Sequence, residues 1–330
     1  MAKPSLWDDN PIKAFDAFVV TLDFAETAKR LPADGKVKTV SAQSVAIYKY
    51  MFRNFCNWMA EQGKTFSTID QGDLKRFITR SNEHGRVINS KIAYRYLRLL
   101  ERCYQHLAAA PNPAREAILA TERSEFMSDD PSRALSEDQL RRFFDALPLA
   151  PARLRRRTPF DGWKRRRDRA MQLVMALAGL RVSEAIGLLL DEVGQQTDID
   201  GAIELTITPS EKHDTSHEHV ALLAREGAVE LRAWLKERAE MGIPGDFVFP
   251  ANVDGRKMIK KTVYMQVRAT FERAGIDQSR AGGRTLRNTF AKQKLAEGAP
   301  PDELKDTLGL ALERSAADYK FARVKPDPEE

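Results

Sequence analysis

The chain has 330 residues, which is longer than most single domains, so its length predicts two domains. Hydrophobic residues make up 42% and charged residues 30%, a composition that can fill hydrophobic cores and excludes a disordered chain. The longest apolar run, residues 171–180, is about half of the roughly 20 residues that span a membrane, and the start of the chain lacks an apolar signal segment. We therefore expect a soluble, cytoplasmic protein with no membrane partner.

In the N-terminal third, residues 1–120 show helical periodicity without strand patterning, which predicts an all-α domain. Its apolar stretches cover residues 45–59, 74–78 and 88–107, and each of the two cysteines stands alone in such a stretch, as is typical of buried, reduced thiols. In the third stretch, basic residues recur at spacings of four, three and four, which places them on one helix face: Lys91, Arg95, Arg98 and Arg102. This face is either solvated or laid against a DNA groove, for which Lys91, Arg95 and Arg98 are the candidates.

A polar stretch at residues 121–134 predicts a linker. After it, Ser136 and Gln139 have the spacing of a capping box that begins a new helix. Residues 135–330 are mixed, because alternating apolar residues at 202–208 and 218–222 predict a small antiparallel hairpin among helices. The predicted fold is therefore mainly α, with a small antiparallel sheet in the C-terminal domain. The proline-containing acidic tail, residues 324–330, predicts a frayed end.

Positive charge is concentrated in one segment of this chain. The net charge is +6, but residues 151–169 alone hold nine basic and two acidic side chains. Such a density of one sign repels itself unless a partner neutralises it, and phosphate is the usual partner of clustered arginines. The segment predicts DNA contact rather than a merely solvated loop, and its candidates are Arg155, Arg156, Lys164, Arg165 and Arg166.

Three segments of the C-terminal half combine glycine turns with arginines and a tyrosine. In AGLRVSEAIGL, residues 178–188, an apolar helix ends at Gly179 and another is predicted to begin with Ser183 as its N-cap, so that Arg181 lies in the turn. In GRTLRNTFAKQKLAEG, residues 283–298, Arg284 and Arg287 lie one helical turn apart. In the third segment, residues 308–322, a glycine turn precedes a short helix that carries a tyrosine, Tyr319.

These motifs resemble those of the tyrosine recombinase family, also called phage integrases. That family has a GLRxSE turn, an HxLRHTFA helix and an LGH turn followed nine residues later by a nucleophilic tyrosine; this chain reads GLRVSE, RTLRNTFA and LGL, with Tyr319 nine residues after Leu310. The resemblance covers about residues 133–322. It implies two domains, an all-α core-binding domain at residues 1–120 and a catalytic domain at 135–330, joined by the linker at 121–134.

The resemblance also implies a set of catalytic residues: Arg181, Lys212, Arg284, Arg287 and Tyr319. The tyrosine would attack a DNA phosphodiester and the arginines would stabilise the charge that develops on phosphate, with neither metal nor ATP. Lys212 would give a proton to the departing 5′ oxygen, although it could also be a solvated hairpin residue, and Glu184 would hold an arginine in place. Three histidines beside Lys212 suggest a metal, but they lack a cysteine or a fourth ligand, and we expect none: His213, His217 and His219.

Three positions depart from the family pattern. Arg284 and Asn288 stand where histidine is usual, and Arg284 keeps a donor for phosphate but cannot accept a proton near neutral pH. Leu310 stands where the family has histidine or tryptophan, and leucine packs but donates no hydrogen bond. A missing transition-state donor would lower the rate by about 10-fold to 1000-fold.

The leading hypothesis is a site-specific DNA recombinase or integrase of a mobile genetic element, working at the bacterial nucleoid. Its partners would be double-stranded DNA with a specific site, three further copies of the chain in a tetrameric synapse, and accessory proteins. The first alternative is a DNA-binding regulator or accessory protein that has lost the chemistry on the same scaffold. A type IB topoisomerase is the second alternative.

Overall fold

A computed structural model describes residues 4–26, 39–81, 90–120, 133–149, 162–197, 200–208 and 218–327. The chain divides into two compact units, Met1–Asp130 and Pro131–Glu330, which are treated separately below. Most of the predicted linker lies outside the described residues, so its bounds remain a prediction. Within the described ranges, no helix has both the length and the apolar character that crossing a membrane requires.

The named elements in the described part of the first unit are all helical. Its elements are α1 (Pro4–Asp9), α2 (Pro11–Phe18), α3 (Leu22–Glu26), α4 (Ala42–Glu61), a 3-10 turn (Phe66–Thr68), α5 (Gln71–Thr79), α6 (Ser90–His106) and α7 (Pro113–Ala120). Aromatic rings fill its core: Phe15 stacks on Phe52 with centroids 4.2 Å apart, and Phe66 stacks on Tyr104 at 4.3 Å. Such pairs stabilise a core beyond the area they bury.

Both cysteines lie inside this aromatic core as free thiols, as predicted. Burial raises the pKa of Cys56 to about 12 and raises that of Cys103 as well. A thiol with a raised pKa stays protonated near neutral pH and is a poor nucleophile. The cysteines therefore serve as small apolar side chains.

The second unit combines helices with two small sheets. Its helices are α8 (Glu137–Asp145), α9 (Trp163–Leu177), α10 (Val182–Ala185), α11 (Arg225–Glu240), α12 (Lys260–Arg273), α13 (Gly283–Ala296), α14 (Pro301–Thr307) and α15 (Glu313–Ala317), with 3-10 turns at Leu190–Glu192 and Asp318–Phe321. Helix α9 is central, since residues 170–176 are all buried, as expected of a helix that is apolar on every side. The capping box at the start of α8 is confirmed: the Gln139 amide donates to Ser136 Oγ over 3.0 Å, and the Ser136 amide donates to Gln139 Oε1 over 3.2 Å.

The predicted hairpin is present and belongs to a three-stranded antiparallel sheet. Strands β2 (Val193–Thr197), β3 (Ile203–Ile207) and β4 (His219–Leu223) lie in the order β2-β3-β4. β3 and β4 alternate buried and exposed residues, with Ile203 opposite Leu223. The sequence did not predict β2, because VGQQT lacks apolar alternation.

The prediction of a frayed tail is wrong for residues 324–327. Strand β5 (Arg323–Val324) pairs in parallel with β1 (Arg133–Ala134), at the start of the same unit. Beyond β5, Gln139 Nε2 donates to the Lys325 carbonyl over 2.8 Å, and Arg142 forms an ion pair with Asp327. These contacts are distant in sequence, so local composition could not indicate them.

Candidate active site

A tight turn places Arg181 at the start of helix α10. Gly179 has a φ of +67°, and a Cβ atom there would lie 2.5 Å from Phe290 Cδ1 and 2.8 Å from Leu308 Cδ2, so only glycine fits. The helix begins at Val182 with Arg181 itself as the N-cap residue. The predicted N-cap at Ser183 is therefore wrong, because the helix has already begun before that residue. The backbone amide of Arg181 donates to the Glu184 carboxylate, as the N-cap amide does in a capping box.

The Glu184 carboxylate contacts two arginines of the site, Arg181 and Arg287. Its Oε2 accepts a hydrogen bond from the Arg181 amide over 2.6 Å, and its Oε1 accepts one from the Arg181 guanidinium. Arg287 Nη1 lies 3.4 Å from the same Oε2. The Glu184 side chain is only 3% exposed, and a buried carboxylate needs such cationic partners. Glu184 thus orients both guanidinium groups at once.

Arg287, on helix α13, is buried and holds three segments together. Its Nη1 donates to the Gly179 carbonyl and its Nη2 to the Leu308 carbonyl, each over 2.8 Å. Its Nε donates to the hydroxyl oxygen of Tyr319 over 3.2 Å. Burial lowers the pKa of Arg287, as does Arg181, while Tyr319 and Glu184 raise it; the group stays protonated, as arginines in proteins do.

Tyr319 lies in the 3-10 turn Asp318–Phe321, which apolar packing and a hydrogen bond hold in place. Its side chain packs against the apolar cluster of Phe290, Ala291, Leu304, Leu308 and Ala316. Three residues later, the Ala322 carbonyl accepts a hydrogen bond from Lys292 Nζ over 2.6 Å. The tyrosine hydroxyl is thereby held beside Arg287.

The arginines and the tyrosine border one cavity of 580 Å³. Its lining residues are Arg181, Val182, Gly283, Arg284, Arg287, Asn288, Ser315, Asp318 and Tyr319. Arg284 is exposed at the cavity, whereas Arg287 forms part of the buried wall. Three guanidinium groups around one opening suit an anion with several oxygens, such as a phosphodiester, because they are positively charged and carry several N–H donors.

The two departures at Leu310 and Asn288 have different surroundings. Leu310 packs against the apolar cluster under Tyr319 and does not line the cavity. Asn288 lines the cavity but is buried, and its Nδ2 donates to the Arg133 carbonyl in β1 over 2.8 Å. The asparagine amide therefore ties helix α13 to the strand pair at the start of the domain.

Several predicted residues lie outside the described part of the chain: Lys212, His213, His217, Arg155 and Arg156, together with the side chain of Lys91. Their roles stay predictions. Within the described residues, no group of three or more histidine, cysteine or acidic side chains is placed to hold a metal ion.

The basic segment at the start of α9 contains exposed charges and charges paired with carboxylates of the same unit. Lys164 and Arg165 are exposed. Arg166 forms a bidentate ion pair with Glu237, and Arg169 Nε lies 2.9 Å from Glu230 Oε1. Lys164 and Arg165 are thus the described members of this segment best placed to meet DNA.

The basic face of α6 is also divided. Arg95 is exposed, and Arg98 is half-buried in an ion pair with Glu101. The Arg102 guanidinium lies over the Phe24 ring, 5.1 Å from its centroid. Helical spacing correctly grouped these residues, but only the packing shows that Arg102 covers the aromatic core.

Sequence reasoning did not include Ser315 and Asp318 in the site. Both line the cavity together with Tyr319. A signal was available, because residues three and four positions apart on a helix are neighbours, and Ser315 precedes Tyr319 by four.

Comparison with known proteins shows the family of this chain. The model of the phage integrase family matches residues 133–323, more than half of the chain. The chain belongs to the phage integrase family, which is the tyrosine recombinase family predicted from the motifs, and this membership supports site-specific DNA recombination.

Among curated relatives, the tyrosine recombinase XerD of Proteus mirabilis is 26% identical over 269 residues, covering 79% of this chain and 76% of that protein. XerD of Yersinia pestis is 25% identical over 265 residues, covering 79% and 81%. Among solved structures, XerH site-specific recombinase bound to palindromic difH substrate, in a post-cleavage complex, is similar with a TM-score of 0.66 at 15% identity, over 94% of this chain and 93% of that one. A lambda integrase dimer bound to a COC′ core site is similar with a TM-score of 0.57 at 14% identity, over 89% of this chain and 93% of that one. These structures establish the fold.

Proposed function

We propose that this protein is a site-specific DNA recombinase that breaks and rejoins DNA through a covalent 3′-phosphotyrosyl bond on Tyr319. The observation that carries this proposal is the 3.2 Å hydrogen bond from Arg287 Nε to the Tyr319 hydroxyl at a cavity lined by three arginines. A nucleophile and the groups that bind its target phosphate then share one opening.

The arginines act on the phosphate. Attack by the tyrosine oxygen gives a five-coordinate phosphorus with added negative charge on its non-bridging oxygens, and guanidinium groups that are already in place stabilise that charge. Glu184 holds Arg181 and Arg287 in position before DNA arrives, so little reorganisation is needed when charge develops. Arg284 supplies the third, exposed cation.

Tyr319 exchanges one phosphoester for another. The bond from phosphorus to the 5′ oxygen breaks while the bond from phosphorus to the tyrosine oxygen forms, and Lys212 gives the departing oxygen its proton. The covalent intermediate retains the ester, so attack by a DNA 5′ hydroxyl rejoins the strand without ATP. The arginines and the lysine supply the charge and proton that a metal-bound site would otherwise provide.

The DNA partner is a duplex carrying a specific site, bound by four copies of the chain. In solved relatives, XerH is bound to its difH substrate and a lambda integrase tetramer is bound to a Holliday junction. Arg95, Lys164 and Arg165 are the exposed cations that would contact DNA phosphates, at the nucleoid of a bacterial cell.

A nicked substrate tests the proposal. Duplexes built from the DNA that flanks the gene carry a nick close to the cleavage position. Cleavage then releases a short fragment with the freed 5′ hydroxyl, which diffuses away, so that rejoining is prevented and the adduct accumulates. Wild type is expected to form an adduct that survives SDS, and digestion should yield a phosphotyrosine peptide containing Tyr319. Tyr319→Phe should bind DNA without forming an adduct, while Tyr264→Phe, at a tyrosine outside the cavity, should react normally. The absence of an adduct with wild type, or an adduct with Tyr319→Phe, would contradict the proposal.

Leu310 favours a second candidate, a DNA-binding regulator or accessory protein on the same scaffold. This side chain packs in the apolar cluster and supplies no donor to the cavity. Specific DNA binding that is unchanged in Tyr319→Phe, together with no strand exchange by wild type on the bound site, would favour this candidate.

A further inference from the structure

Tyr319 must lose its phenolic proton when its oxygen forms a bond to phosphorus. Arg287 Nε already donates a hydrogen bond to that oxygen, and a guanidinium has no acceptor. The tyrosine proton must therefore go to a group other than Arg287, and the described residues that border the same cavity are the nearest candidates.

Few residues around the cavity can accept a proton. Three of the nine lining residues are arginines, and neither Val182 nor Gly283 carries a polar side chain. Asn288 has its amide committed to the Arg133 carbonyl, and an amide is not a base near neutral pH. Among the described lining residues, Asp318 carries the one carboxylate, which makes it the one acid–base group beside Tyr319 itself that can accept a proton.

Glu184 is the other nearby carboxylate, but it is already engaged. Both of its oxygens accept hydrogen bonds from Arg181, and Arg287 lies against one of them. Protonating Glu184 would leave two cations without their counterion in a buried place, which is costly. Asp318, by contrast, is exposed at the cavity mouth.

We propose that Asp318 accepts the phenolic proton of Tyr319 during cleavage and returns it during rejoining, which rests on the proposed function of Tyr319. Ser315, which also lines the cavity, precedes Asp318 by three residues and Tyr319 by four, so the three residues are neighbours along this helical segment. One proton leaves the tyrosine and one reaches the carboxylate, while the 5′ oxygen receives a separate proton. Arg284 cannot fill this role because a guanidinium has no acceptor.

The charges around Asp318 are compatible with this role. Arg181, Arg284 and Arg287 face the cavity from helices α10 and α13, while Arg314 and Lys320 lie on its own segment. These cations leave the cavity net positive toward a phosphate. Asp318 can therefore serve as a base without preventing DNA binding.

Cleavage of the nicked substrate, followed against pH in single-turnover reactions, tests the proposal. Asp318→Asn is expected to lower the cleavage rate at pH 7 by about 100-fold or more, since general bases contribute about that much. Its rate should then rise about tenfold per pH unit, because hydroxide has to remove the proton. Asp318→Glu should restore most of the rate, and added formate should partly rescue Asp318→Asn.

Two controls separate the proton transfer from other effects. Glu313→Gln removes an exposed carboxylate on the neighbouring helix that does not line the cavity, and it should react like wild type. DNA affinity of Asp318→Asn should equal or exceed that of wild type, because a negative charge beside the phosphate is lost; this also reports a folded protein. If Asp318→Asn does not fold, the rate and pH profile of Asp318→Glu decide.

The outcomes distinguish this proposal from the one it rests on. Failure of wild type to form an adduct would remove the function of Tyr319 and with it the role of Asp318. Adduct formation by wild type, with an unchanged rate and pH profile in Asp318→Asn, would overturn the role of Asp318 alone.

Discussion

The Nε atom of Arg287 donates a hydrogen bond to the hydroxyl oxygen of Tyr319, 32 residues further along the chain, over 3.2 Å. The same guanidinium donates to the carbonyls of Gly179 and Leu308 and lies against Glu184. One buried cation therefore sets the position of the tyrosine and also the shape of the turn that carries Arg181. Structure and proposed catalysis are coupled through this side chain.

Arg287 and Arg284 are expected to differ in their effect on folding. Arg287→Ala leaves the buried Glu184 short of a partner and two carbonyls unpaired, so it should lower the free energy of unfolding by about 3–5 kcal/mol. Arg284→Ala removes an exposed side chain and should change it by less than about 0.5 kcal/mol. Each should lower cleavage by about 100-fold. Urea unfolding and the nicked-substrate assay measure the two effects; equal loss of stability would contradict this assignment.

Leu310→His is expected to speed cleavage by about 10-fold to 1000-fold, because it supplies a donor that the site lacks. Some stability should be lost, since Leu310 packs in the apolar cluster beneath Tyr319. Leu310→Ala is the matched control, because it removes the same packing without adding a donor. Single-turnover cleavage compares them, and a histidine variant no faster than the alanine variant would show that position 310 needs no donor.

Lys164 and Arg165 are expected to contribute to the salt dependence of DNA binding. Each phosphate contact steepens the slope of log affinity against log salt by about 0.9, so replacing both with alanine should flatten it by about 2. Lys236→Ala serves as control, because it removes an exposed lysine of α11 that lies outside the basic segment. Binding titrations at several salt concentrations measure the slope, and an unchanged slope in the double variant would rule out these contacts.

Asp73 is expected to make the first unit sensitive to acid. Burial raises the pKa of Asp73, but hydrogen bonds from Lys64 and the Asp70 amide and the charges of Lys64 and Arg76 outweigh it and lower the pKa overall. A carboxyl with a lowered folded-state pKa stabilises the protein above its unfolded value of about 3.9, and this stabilisation is lost as the pH falls through the folded value. Asp73→Asn should therefore cost about 1–3 kcal/mol at pH 7.

The difference between wild type and Asp73→Asn should shrink as the pH falls below about 4, because the unfolded carboxyl then binds a proton while the folded one, whose pKa is lowered, still resists it. Asp16→Asn, which breaks a more exposed pair with Lys49, should cost less than about 1 kcal/mol at pH 7. Urea unfolding at a series of pH values measures both. A difference for Asp73→Asn that is constant from pH 3 to pH 7 would contradict the assigned ion pairs.

Local patterns in the sequence correctly predicted much of the fold. Helical periodicity identified the long helices of the first unit, the spacing of Ser136 and Gln139 identified the start of α8, and alternation identified β3 and β4. The ordered motifs around Arg181, Arg287 and Tyr319 identified the family. These features depend on residues a few positions apart, which the chain displays directly.

Only the tertiary structure decided how the charges are used. It buries Arg287, commits Arg166 to Glu237, lays Arg102 over an aromatic ring and leaves Lys164 exposed. Strand β2 and the paired tail likewise depend on backbone partners far away in the chain. An arginine is the same letter in the sequence whether its guanidinium contacts a carboxylate, a ring or solvent. The choice among these partners depends on long-range packing, which produces no local sequence pattern. The sequence alone therefore determined that arginines and a tyrosine belong together, while the fold determined that Arg287 holds the tyrosine and that Asp318 shares its cavity.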